Sequence, residues 1–103
     1  MDKIAALTEI LTADPTNAFA RYGLAMEHNA QGNPDLALTE FTALINHNPD
    51  YVPAYQMSAQ TLAKLGRTNE AITRLKEGLI AAKRTSNAHA AGEMQTLLDD
   101  LTL

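Results

Sequence analysis

At 103 residues and without a single cysteine, the chain has length for one modest core and cannot build disulfides, thiolate nucleophiles or cysteine-based zinc sites. Its formal net charge of −4 at pH 7 disfavours general nucleic-acid binding, and no apolar run approaches the roughly 18 residues of a membrane span. The first apolar stretch carries Asp2, Lys3 and Glu9 and is too broken for a secretory leader, so a cytoplasmic location is expected.

Residues 2–13 place Ile4, Leu7, Ile10 and Leu11 on one helical stripe, with Asp2 available as N-cap. Asp14-Pro15 ends that helix, because the residue before proline is pushed out of helical geometry. Thr16 is the expected cap of a second helix over 17–31, which Gly32 closes by taking a left-handed conformation. Asn33-Pro34 opens a third helix over 34–47 by pairing a capping side chain with a first-turn proline. Ala37, Phe41, Leu44 and Ile45 form its buried stripe, and Asn48-Pro49 ends it.

The cycle then restarts. Asp50 is the expected cap of a helix over 51–65, Pro53 sits in its first turn, and Gly66 closes it. Thr68 opens a helix over 69–83 that carries Ala71, Ile72, Leu75 and Leu79 and is expected to reach about Arg84, since no proline stops it. A polar stretch, 83–87, leads into a last helix over 87–101, with Ala90, Met94, Leu97, Leu98 and Leu101 on one face. No strand-like alternation competes with these helices. The connections are short, so consecutive helices should be antiparallel neighbours in a single domain over 1–103.

Residues 17–49 and 51–83 are two copies of one pattern. Gly32 and Gly66 lie 34 positions apart, as do Ala25 and Ala59, Ala37 and Ala71, and Pro15 and Pro49. A fixed period of this length marks a stacked repeat architecture, in which each unit buries its apolar face against its neighbours. Ala25 and Ala59 lack bulk, so a helix can cross closely there, and Ala37 and Ala71 do the same on the partner helix.

In this spacing of small and large residues the chain resembles the tetratricopeptide repeat family, of the short bacterial type. The residues that carry the resemblance are Leu24, Ala25, Gly32, Ala37, Phe41 and Pro49 in the first copy. In the second they are Tyr55, Ala59, Leu62, Gly66, Ala71 and Leu75. The resemblance implies an all-α helix-turn-helix solenoid with two full repeats. Residues 2–13 would be the second helix of an incomplete unit, and 87–101 the first helix of another. Arg21, His28 and Ser58 depart from the family pattern, since large or aliphatic residues are usual there.

The family's first helices line a concave groove. Carried onto this chain, the groove stripe is Phe19, Tyr22, Met26 and Asn29, then Pro53, Gln56, Gln60 and Ala63, with Lys64 beside them. Asn87, Ala90, Met94 and Leu97 would continue it. Phe19, Tyr22 and Met26 suit apolar anchoring, and Asn29, Gln56 and Gln60 suit hydrogen bonds to a backbone. Burial under the terminal helices is the competing account of the same stripe, above all for Phe19. Some members grip a partner's C-terminal carboxylate with a clamp of lysines, arginine and asparagines. Tyr22, Met26, Gln56 and Gln60 stand in such positions here, so no clamp is expected.

His28, His47 and His89 fall on separate helices without metal-ligand spacing, and His28 is expected to be satisfied by a neighbour. Adjacent Asp99 and Asp100 point in different directions on a helix. Lys76, Lys83 and Arg84 read as a solvated basic patch. The glycines are expected at helix ends, and no nucleophile–base pair or phosphate loop is visible. The expectation is therefore a non-catalytic interaction module without cofactor or metal. Its partner would be a protein or peptide segment, not nucleic acid or membrane. A structural, weakly homodimerising repeat protein is the alternative.

Overall fold

A computed structural model describes residues 2–103, and all regular structure among them is helical. The helices are α1 (Lys3–Ala13), α2 (Ala18–Ala30), α3 (Pro34–His47), α4 (Val52–Lys64), α5 (Thr68–Arg84) and α6 (Ala88–Leu101). They form two compact units that divide between Asn48 and Pro49.

In the first unit α2 packs against both α1 and α3. Leu11, Ala20 and Leu24 are buried together, with Ile4 and Leu7 against them. The Ala5 N–H donates to Asp2 Oδ1 at 2.7 Å, and so the first helix begins as its sequence suggests. The second does not begin at Thr16. Asn17 is the cap, accepting from the Ala20 N–H at 2.9 Å, while the Thr16 hydroxyl turns back to Asp14 Oδ1. Asn33 stands at the N-cap of α3 but its side chain makes no capping bond, leaving Pro34 as the entry device. Gly32 takes φ +78°, the left-handed closure that a β-carbon would strain. Ala25, Ala37, Phe41 and Leu44 are completely buried, as the close crossing of α2 and α3 requires.

The second unit packs α4 on α5 and α5 on α6, and α4 also meets α6. Tyr51, not Asp50, occupies the N-cap of α4, again without a side-chain cap. Asp50 is instead ion-paired to Arg84 Nε. Gly66 repeats the left-handed closure with φ +75°, whereas the end of α5 is turned by Ser86 at φ +57°. Ser58 is buried where an aliphatic residue is usual, and its hydroxyl donates to the Tyr55 carbonyl at 3.1 Å.

Two further sequence expectations fail, the first of them in both units. Gly78 lies inside α5, not at a helix end, and Gly23 and Gly92 likewise lie inside α2 and α6. A β-carbon at Gly78 would stand 2.6 Å from Met94 Sδ and 2.7 Å from Tyr55 Cβ, so α4 and α6 both close onto α5 at this residue. The register of α6 also differs from a strict 34-residue count. Asn87 accepts from the Ala90 N–H as Asn17 does from Ala20, and the two asparagines are 70 positions apart, two more than two full periods. The longer α5, with 17 residues against 14 in α3, accounts for the slip.

Candidate functional site

On α2, Phe19 projects from the first turn with 81% of its surface exposed. Tyr22, Met26 and Asn29 follow on the same face and are half-buried. The Tyr22 ring lies 6.1 Å from the Phe41 ring, tilted by 60°, so one side of it is committed to α3. On α4, Pro53 and Lys64 are exposed, and Gln56, Gln60 and Ala63 are half-buried. Apart from Lys64 at the helix end, these stripes carry no charge.

The stripe expected on α6 is overturned. Met94 is completely buried, Ala90 is buried and Asn87 caps the helix. The slip of two residues gives the outward positions to His89, Gly92, Thr96 and Asp99, all exposed. The matched capping asparagines, Asn17 and Asn87, are the signal that sequence reading passed over.

Around these stripes the departures from the repeat pattern find specific partners. Arg21 forms an ion pair with Glu40 at 2.7 Å, both partly buried, and its other terminal nitrogen donates to the Pro15 carbonyl at 3.0 Å. Tyr55, 34 positions later, donates its hydroxyl to the Pro49 carbonyl at 2.7 Å. Burial pushes the Tyr55 phenol above its ordinary pKa of 10.0. Arg84 adds a second donor to the Pro49 carbonyl at 3.1 Å beside its pairing with Asp50. It therefore leaves the basic patch, in which Lys76 and Lys83 stay exposed. Arg67 holds Glu70 in a two-point hydrogen bond that lowers the Glu70 carboxyl pKa.

The histidines diverge. His47 Nδ1 lies 2.8 Å from the Ala43 carbonyl, and His89 Nε2 lies 3.0 Å from Glu93. His28 is not satisfied as expected: its Nδ1 is buried without a hydrogen-bond partner. The same place in the second repeat is taken by Leu62, which is buried. An open depression of about 680 Å³ lies in the second unit between the 50–53 and 85–89 segments, beside the N-terminal ends of α4 and α6.

Comparison with known proteins accords with this architecture. Residues 28–93 match the tetratricopeptide repeat family. The chain is similar to a tetratricopeptide repeat domain protein from Salinibacter ruber, with 32% identity over 85% of this chain and 89% of that one, at a TM-score of 0.80. At 19% identity its fold is similar to the TPR2B domain of yeast Sti1 in complex with pHsp70, with 96% and 79% of the two chains covered and a TM-score of 0.88. PcrH in complex with the chaperone-binding region of PopD is similar in fold at 15% identity, with 96% and 75% covered and a TM-score of 0.89. No curated protein sequence matches the chain. The chain belongs to the tetratricopeptide repeat family and has its all-α helical repeat fold: two full repeats, α2–α3 and α4–α5, flanked by the half-repeat helices α1 and α6. Among the described residues no helix is long and apolar enough to cross a membrane.

Proposed function

We propose that this protein is a non-catalytic interaction module that holds a segment of a partner protein against the outward faces of its first helices. The observation that carries the reading is the exposure of Phe19 at 81%, in line with Tyr22 and Met26 on one face of α2. A large aromatic left in water costs solvation free energy that burial against a partner would recover, about 2 kcal/mol for a ring of this size. Two proteins similar in fold were solved with partners, Sti1 with pHsp70 and PcrH with a region of PopD, which supports the same kind of work here.

In this reading Phe19, Tyr22 and Met26 are the apolar anchors, with the Tyr22 ring steadied by its contact with Phe41. Asn29, Gln56 and Gln60 hydrogen-bond the partner's backbone. Lys64 is the only charged residue among those assigned to the partner, so capture should depend weakly on salt. The cysteine-free composition suits a cytoplasmic setting. The test is a Phe19→Ala/Met26→Ala variant used as bait in affinity capture, beside circular dichroism. Loss of the captured protein with helicity unchanged is expected. Equal capture by both baits would overturn the assignment of this face.

A further inference from the structure

The outward face of α5 carries surface that neither the core nor the α2 stripe uses. Lys76, Ile80 and Lys83 lie at i, i+4 and i+7, so they form one ridge along the helix. All three are exposed, Ile80 at 64%. In register with Lys76 and Ile80, α3 has Thr42 and Asn46 and α1 has Thr8 and Thr12, all exposed and none charged or aliphatic. Lys83 joins the ridge because α5 runs to 17 residues, past the point where the 14 of α3 end. The helix dipole favours a cation in a last turn, which accounts for Lys83 alone. An exposed isoleucine between two lysines is explained by neither the dipole nor the core.

The other charges of α5 are matched locally. Arg74 pairs with Glu77 at 3.6 Å, Arg67 holds Glu70, and Arg84 is tied to Asp50. Among the described residues neither Lys76 nor Lys83 has a carboxylate partner. The second unit has six acidic and six basic residues, so the net charge of −4 arises wholly in the first. The two free lysines therefore set the local field along this ridge.

An occupant of the ridge must bring an apolar side chain to Ile80 and a carboxylate to each lysine. Seven residues of helix rise about 10.5 Å, which sets the separation of those carboxylates. A protein segment with an apolar residue between two Asp or Glu side chains meets all three demands. A bilayer surface does not. Stable attachment there takes a cluster of cations or a broad apolar face, and two lysines with one isoleucine supply neither.

We propose that Lys76, Ile80 and Lys83 form a second docking surface, for an acidic protein segment with an apolar residue between its carboxylates. It is separate from the α2 face and, unlike that face, weakens as salt rises. The test is an NMR titration of the isotope-labelled chain with an alanine-based helical peptide that carries two glutamates seven residues apart and a leucine between them. Amide shifts centred on Lys76, Ile80 and Lys83 are expected, and they should shrink as sodium chloride is added. Lys76→Gln/Lys83→Gln should raise the Kd about fivefold, and Ile80→Ala should raise it as well. The amide spectra of the free variants check that the fold is kept. Absence of shifts on α5 overturns the proposal, and so does equal affinity for a peptide with glutamines in place of the glutamates. Binding to phosphatidylserine vesicles without binding to the peptide would assign the ridge to a membrane surface and overturn it too.

Discussion

Arg21 and Tyr55 stand 34 positions apart and donate to the same acceptor of their respective repeats, the carbonyl of the proline six residues earlier. The two side chains share little chemistry, yet each ties the first turn of a repeat's opening helix to the segment that enters it. Arg21 was a departure from the family pattern at the level of sequence. In the structure it reproduces the tyrosine's hydrogen bond and adds an ion pair to Glu40.

Removing the phenol should isolate that bond in the second repeat. Tyr55→Phe is expected to lower stability by about 1 kcal/mol in urea denaturation at neutral pH. The wild type should also lose part of its stability as pH rises beyond 10, toward the raised pKa of the buried phenol. The unfolded chain ionises Tyr55 first and the folded chain holds it neutral, so the contribution is intact below the ordinary value of 10.0. The variant should show a shallower alkaline decline. Parallel declines would refute the assignment.

In the first repeat, Arg21→Ala strands both the partly buried Glu40 and the Pro15 carbonyl. A loss of about 1–3 kcal/mol is expected, mostly from leaving Glu40 without its partner. A double-mutant cycle with Glu40→Ala should return a favourable coupling near 1 kcal/mol or more. A coupling indistinguishable from zero would show that the 2.7 Å pair contributes nothing in solution.

His28→Leu should stabilise the protein. The substitution removes a buried nitrogen that has no partner and installs the residue type that the second repeat uses at Leu62. A gain of about 1 kcal/mol corresponds to a rise of roughly 4–8 °C in Tm for a chain of this size. A fall in Tm would mean that the imidazole makes a bond in solution that the fold does not reveal.

The interior glycines of α5 and α6 should respond to alanine with opposite signs. At Gly92 nothing lies within 4 Å of an added β-carbon, so the gain should approach the helix-propensity difference of about 1 kcal/mol. At Gly78 the same atom meets Met94 and Tyr55, and the overpacking should cost about 1–3 kcal/mol. Chemical denaturation of the two variants side by side reads both signs, and two gains would contradict the closeness of α4 and α6 to α5.

The parts of the fold legible in the sequence were those that rest on backbone necessity. Gly32 and Gly66 announce left-handed turns, and the paired alanines announce close crossings, because few other residues satisfy either demand. The caps were harder. Thr16, Asn33 and Asp50 are all good capping residues, and whether the oxygen reaches the third amide onward depends on a backbone angle that residue type does not reveal. Gly78 departs from the helix-end expectation because a glycine within a helix signals close approach only once the neighbouring helices are in place. On the candidate face, helical register puts Phe19 in line with Tyr22 and Met26, but its exposure, which the sequence leaves open against burial under α1, is decided by the fold. The partial burial of Tyr22 depends on Phe41, which lies in another helix.

The two extra residues before α6 have a geometric consequence for anyone extending the molecule. At about 100° per residue, a slip of two turns a helix through roughly 200°, nearly to its opposite side. A further second helix added after Leu101 must therefore be counted from Asn87. Counted from Thr85, where an unbroken 34-residue rhythm would begin the unit, the added helix would be aimed at the wrong side of α6 and would find Met94 already enclosed. The array can be lengthened only by someone who resets the count at its last turn.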